Sequence, residues 1–191
     1  RRNRRSTAIR RLVRETELQP SHLILPLFVI EGTATREPIA SMPGTSRLSI
    51  DEVIKESRKA VDLGIPAVAL FPALADGLKD RTAAESLNPD GLLQRAVAEL
   101  KSALPELLVI TDVAMDPYSS DGHDGIVENG LILNDPTLEI LAAMSVSQAR
   151  AGADLVAPSD MMDGRVGAIR SALDEEGFIR ITDRLSRFSK I

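Results

Sequence analysis

A chain of 191 residues, 43% hydrophobic and 27% charged, holds enough apolar material for one domain with a sizeable core. The lack of cysteine excludes disulfides, thiolate nucleophiles and cysteine metal sites, and suits a reducing cytoplasm, the expected compartment. The net charge of −5, and the want of any apolar run near the roughly 20 residues of a membrane helix, count against nucleic acid and membrane as partners.

The chain opens on a basic stretch in which Arg1, Arg2, Arg4, Arg5, Arg10 and Arg11 crowd together. Such an arm can meet nucleic acid or acidic lipid, but no aromatic residues interleave with the arginines to stack on bases. The reading adopted is an arm, residues 1–20, that packs on a partner subunit, ahead of a body spanning residues 21–191. Apolar runs then recur: LILPLFVI from Leu23, AVALF from Ala67, LLVITDV from Leu107 and DLVA from Asp154. They are apolar on both faces, as strands of a parallel sheet buried on both sides should be.

Helical patterns fill the intervals. Ser49 with Glu52 makes a capping box ahead of IDEVIKESRKAVDLG, and Gly64 stops it. Asp90 precedes GLLQRAVAELKSAL, which ends before Pro105. Asp135 with Pro136 at the first helical position opens a helix that Gly152 closes. Strand and helix thus alternate in units of about 40 residues, the pattern of a parallel α/β fold. A doubly wound sheet and a (β/α)8 barrel both fit the alternation, and a barrel of about 250 residues would be only half present. Glu31-Gly32-Thr33 leads into a polar connection rather than a phosphate loop and helix, which favours the barrel.

In a barrel, chemistry gathers where strands end. After Leu107–Val113 the chain places Asp112, Asp116, Asp121, His123 and Asp124 around Pro117-Tyr118-Ser119-Ser120. Such a loop could bind a hard cation, hold an ammonium group, or simply be a solvated run of Asx turns. Asp112 stands apart because it ends an apolar strand, where a carboxylate is costly unless paired or used. After the last strand come Ser159, Asp160, Met161, Met162 and Asp163, with the methionines read as packing and Asp160 or Asp163 as a cap on the helix beyond.

These segments resemble porphobilinogen synthase, also called 5-aminolevulinate dehydratase. DVAMDPYSSDGHDG (Asp112 to Gly125) resembles the family's metal loop, and APSDMMDGRVGAIRSALD (Ala157 to Asp174) its central signature. LPLFV, SMPG, LNDPT and AGAD add to the likeness in order along the chain. The resemblance implies the first four to five βα units of a (β/α)8 barrel, with an N-terminal arm that wraps a neighbour in a homo-octamer. It implies condensation of two 5-aminolevulinate molecules to porphobilinogen with loss of water, in tetrapyrrole biosynthesis, through lysine Schiff bases. By residue matching, Asp112 and Lys190 are catalytic, and Ser159, Asp116 and Asp124 bind substrate. The family's three zinc-loop cysteines read here Ala114, Asp116 and Asp124, so zinc is not expected at the loop, while magnesium is expected in the intact enzyme. Lys190 sits in Ser186-Arg187-Phe188-Ser189-Lys190, where the family has a segment close to Ser-Tyr-Ser-Ala-Lys. The second lysine and the carboxylate-binding arginines are expected beyond Ile191, so the chain alone is expected to be inactive. The alternative is a non-catalytic remnant that assembles with intact subunits.

Overall fold

The computed structural model describes residues 2–183. The leading segment carries single 3-10 turns at Arg2–Arg4 and Pro20–His22 on either side of helix α1 (Thr7–Leu12). Residues 2–23 are exposed, apart from half-buried Ile9. The body follows as β1 (Ile24–Val29), β2 (Arg36–Pro38), β3 (Ser46–Leu48), α2 (Ile50–Asp62), β4 (Ala67–Pro72), α3 (Leu92–Ala103) and β5 (Leu108–Val113). It continues through β6 (Ile126–Glu128), β7 (Leu131–Leu133), α4 (Asn134–Ala151), β8 (Leu155–Pro158) and α5 (Arg165–Glu175).

Six strands form one sheet in the order β2-β3-β1-β4-β5-β8. The four strands expected from the apolar runs, β1, β4, β5 and β8, are parallel neighbours in chain order. They lack the strand reversal of a doubly wound sheet. This is an α/β fold on a mostly parallel sheet. Two strands were not anticipated: β3 joins the outer edge of β1 in parallel, and β2 returns antiparallel on β3. β6 and β7 make a separate antiparallel hairpin in the loop after β5.

The register explains the core. Leu27, Leu70, Thr111 and Val156 stand side by side across the sheet, and alternation puts Val29, Val68, Val109 and Val113 on the same face. That face is buried under α2 and α3 at one end, with Val53, Leu93, Val97 and Leu100, and under α4 and α5 at the other, with Leu141, Met144, Ile169 and Leu173. The opposite face is more open than two-sided burial anticipates. Ala67, Ile110 and Ala157 form a small buried patch on it, but Pro26 and Leu108 are exposed. Phe28 and Phe71 lie half-buried there with ring centroids 5.6 Å apart.

The helix starts also differ from the sequence reading. Ser49 does cap α2 by position, but its hydroxyl accepts the Thr35 N–H at 2.9 Å and donates to the Asp51 side chain at 2.6 Å rather than accepting a backbone N–H of the helix. Glu52 does not reach back; it pairs with Arg36 and Lys55, because β2 brings Arg36 over the first turn. Gly91 rather than Asp90 caps α3, and α4 starts at Asn134, with Pro136 at its third position. Gly152 does stop α4, at φ 106°.

Candidate functional site

Pairing of β5 with β8 sets Asp112 opposite Ala157 and Val113 opposite Pro158. Ser159 lies two residues past Ala157, so alternation returns its side chain to the face of Asp112. Its N–H donates to the Val113 carbonyl at 3.3 Å. The Ser159 hydroxyl lies near enough to the Asp112 carboxylate to favour its charged form.

Asp112 is half-buried, and its carboxyl is pushed from 3.8 up to about 6. Burial is the main cause. The Ser159 hydroxyl pulls the other way, and the charges of Asp116, Asp124 and Asp160 add to the rise. Asp116 lies on the outer side of the loop and is also raised, first by lost hydration, then by the charge of Asp124 and a hydrogen bond shared with that carboxyl. Lys79 opposes the shift. Asp112, Asp116, Asp124 and Ser159 therefore gather at one end of the sheet, with Asp160 among them. Lys190 lies outside the described residues.

Several groups hold this arrangement. The loop after β5 starts with a turn in which the Met115 carbonyl accepts the N–H groups of Tyr118 at 2.9 Å and Ser119 at 2.8 Å. The loop after β4 runs alongside: Asp80 N–H donates to the Tyr118 carbonyl at 3.2 Å, and Ser120 N–H to the Asp80 carbonyl at 3.0 Å. Arg81 spans to Asp121 at 3.2 Å and to the Val127 carbonyl. Gly125 is packed so closely that a Cβ there would sit 2.8 Å from Ile132 and 3.0 Å from the Thr137 hydroxyl. From α4, fully buried Gln148 accepts from the Thr111 hydroxyl and donates to the Asp112 carbonyl, both at 2.7 Å.

Asp160 does not cap α5. Its side chain is fully buried and accepts the Met162 N–H at 2.7 Å. Burial raises its carboxyl and Asp124 adds to that, while the Met162 N–H and Arg165 oppose it. Gly164, at φ 83°, caps α5 instead, and Asp163 is clasped by Asn134 through bonds of 2.7 and 3.1 Å. Met162 is buried as expected, but Met161 is 78% exposed, because the turn after β8 points it outward.

The parts played by Gln148 and Arg165, and the burial of Tyr118 and Asp160, went unnoticed in the sequence. Gln148 did leave a signal, since with Leu141, Met144 and Ser145 it completes an i, i+3, i+4, i+7 face. Tyr118 is buried with no partner for its hydroxyl among the described residues, and that burial, with Asp112 and Glu85 nearby, raises its phenol.

At the same sheet end a cavity of about 570 Å³ opens over β1 and β4, lined by Glu31, Arg47, Pro72, Lys79 and Pro117 among others. A larger one, about 620 Å³, lies among α3, α4 and α5 and touches none of these carboxylates. Among the described residues no three Asp, Glu or His side chains are grouped to hold one metal ion. None of the described helices is long and apolar enough to cross a membrane.

Known proteins resemble this chain in sequence and fold. A protein from Selaginella martensii named chloroplastic delta-aminolevulinic acid dehydratase is 55% identical over 184 residues, 95% of this chain and 44% of that one. A delta-aminolevulinic acid dehydratase of Bradyrhizobium diazoefficiens is 49% identical over 181 residues, 95% of this chain and 51% of its own length. The fold superposes with a TM-score of 0.92 and 54% identity on a crystal structure from Toxoplasma gondii ME49, a delta-aminolevulinic acid dehydratase (porphobilinogen synthase) in complex with the reaction product porphobilinogen. That match covers 95% of this chain and 52% of the other, so the chain spans about half the length of such relatives. The family model described as delta-aminolevulinic acid dehydratase matches residues 1–186, and the chain belongs to that family.

Proposed function

We propose that this chain forms the amine-holding half of a porphobilinogen synthase site, in which two 5-aminolevulinate molecules condense to porphobilinogen with loss of water. The observation that carries the reading is the Asp112–Ser159 pair, a half-buried carboxyl on the same sheet face as a hydroxyl and crowded by other carboxylates. An ammonium group seated there would relieve the repulsion that raises Asp112, so the site favours a cationic amine over a neutral or anionic ligand. With its carboxyl poised at about 6, Asp112 can also accept a proton near neutral pH. Lys190 has the Schiff-base role on resemblance alone. Its amine would add to the substrate ketone and expel water, leaving an imine whose neighbouring C–H is more acidic than that of the ketone.

We read β1, β4, β5 and β8 as the first four strands of a (β/α)8 barrel. The N–H of Val156 donates to the Thr182 carbonyl at 2.9 Å, which suits a fifth strand starting there. The exposed leading segment supports an assembly arm: α1 is too short to be stable unaided, and Leu12 and Leu18 are 85% and 76% exposed. An octamer built through that arm is part of the proposal. So is magnesium in the intact enzyme; carboxylates are a poor zinc site. Among the described residues the loop acids are not grouped as metal ligands.

The test is borohydride reduction of the 191-residue chain with 5-aminolevulinate, followed by peptide mass spectrometry and a colorimetric pyrrole assay. An adduct at Lys190, lost in Lys190→Ala and weakened in Asp112→Asn, is the expected result, with no pyrrole from this chain alone. If no lysine is trapped and Asp112→Asn leaves affinity unchanged, the reading fails. Turnover that disappears in Lys190→Ala would refute the inactivity of the lone chain.

A further inference from the structure

Arg165 opens α5, and its guanidinium reaches back to the turn that follows β8. Its Nη1 donates to the Met162 carbonyl at 3.0 Å. Its Nε lies 3.4 Å from Asp160 Oδ2, close enough for charge pairing, although neither atom has a hydrogen-bond partner. The other oxygen of Asp160 holds the Met162 N–H. The three groups thus close a small ring around the turn directly following Ser159. We propose that Arg165 is a positioning residue: by holding Asp160 and the Met162 carbonyl it fixes that turn and presents the Ser159 hydroxyl to Asp112.

The ring has the character of a device rather than of packing alone. A carboxylate with no exposed surface is costly unless a cation stays beside it, and Arg165 is the cation the ion pairs assign to Asp160. Asp160 faces Asp112 and Asp124, and Asp112 in turn faces Asp116, Asp124 and Tyr118; among the described residues the cation beside Asp160 is Arg165, while Lys79 acts on Asp116. Loosening Arg165 frees the turn, and with it the Ser159 hydroxyl whose approach favours the charged form of Asp112. The inference deepens the reading of Asp112 and Ser159 as the amine site, yet its test needs no substrate.

A double-mutant cycle follows the Asp112 carboxyl by carbon NMR titration in the 191-residue chain, with the resonance assigned through Asp112→Asn. Arg165→Met is made in the parent and in a Ser159→Ala background. Effects of the lost charge, on Asp112 directly or through Asp160 and Asp124, are common to both backgrounds and cancel in the cycle. Arg165→Met should raise the Asp112 midpoint by about half a pH unit more in the parent than in the Ser159→Ala background, because only the parent has the hydroxyl's approach to lose. Equal displacement in the two backgrounds overturns the proposal. Should Arg165→Met not fold, Arg165→Lys, which keeps the charge but cannot span both partners, takes its place and the same equality refutes it. Failure of 5-aminolevulinate to bind would remove the amine reading while leaving this result intact.

Discussion

Replacing Asp112 with Asn should stabilise the folded chain at neutral pH while weakening its hold on an amine. The folded carboxyl titrates at about 6 against an ordinary 3.8. Below 3.8 the acid is neutral in both folded and unfolded chains, so its raised value contributes fully there. That contribution is lost as pH rises through 6, because the unfolded chain gives up the proton first. At about 1.4 kcal/mol for each pH unit, the charged form costs the folded chain up to about 3 kcal/mol above pH 7, and less where water reaches the half-exposed side of the carboxyl. Asn is close in shape and carries no charge. Urea unfolding at about pH 4 should therefore give near-equal stabilities, and at about pH 7.5 the variant should lead by about 1 to 3 kcal/mol. A difference that stays flat across this range, or one that favours Asp112 at the higher pH, would refute the account of its environment.

Gln148→Leu removes both 2.7 Å bonds between α4 and β5 and leaves the buried Thr111 hydroxyl and the Asp112 carbonyl short of partners, so urea unfolding should show a loss of about 2 to 4 kcal/mol. Gly125→Ala places a methyl against Ile132 and Thr137; a loss of about 1 to 3 kcal/mol is expected by the same measurement, and a neutral result would mean that the hairpin after β5 gives way freely.

Strand positions were legible because long apolar runs bounded by Gly and Pro leave few alternatives, and the polar groups at their ends were legible as site candidates for the same reason. Asp112 is a clear instance: the only acid within its strand, it could be singled out from position alone. Strands β2 and β3 were not legible. Arg36-Glu37-Pro38 and Ser46-Arg47-Leu48 are short, polar and without alternation, and only the free edge of β1 makes them strands. The Ser49–Glu52 motif misled because its partners, Thr35 and Arg36, arrive from a distant segment. Asp160 misled in the opposite way. A carboxylate just ahead of a helix looks like a cap, and nothing local reveals that the chain turns it inward and that a glycine takes its place.

The carboxylates of the site repel one another, and folding must hold them together against that repulsion. The groups that do so are not themselves acidic ligands. Asp80 carries the neighbouring loop alongside the one after β5, Arg81 ties down its outer end, Gln148 grips the backbone at Asp112, and Asn134 with Arg165 secures the turn that bears Ser159. Each makes at least one bond to backbone, which holds whether the neighbouring acids are charged or neutral, and Arg81 and Arg165 add ion pairs with Asp121 and Asp160. The clustered negative charge is thereby kept in place while its protonation is left free to respond to a bound cation. A site fastened by its own ion pairs would have spent that charge internally. Here most of it remains directed at the open end of the sheet, where the proposed ammonium group would lower the electrostatic cost that the fold otherwise bears.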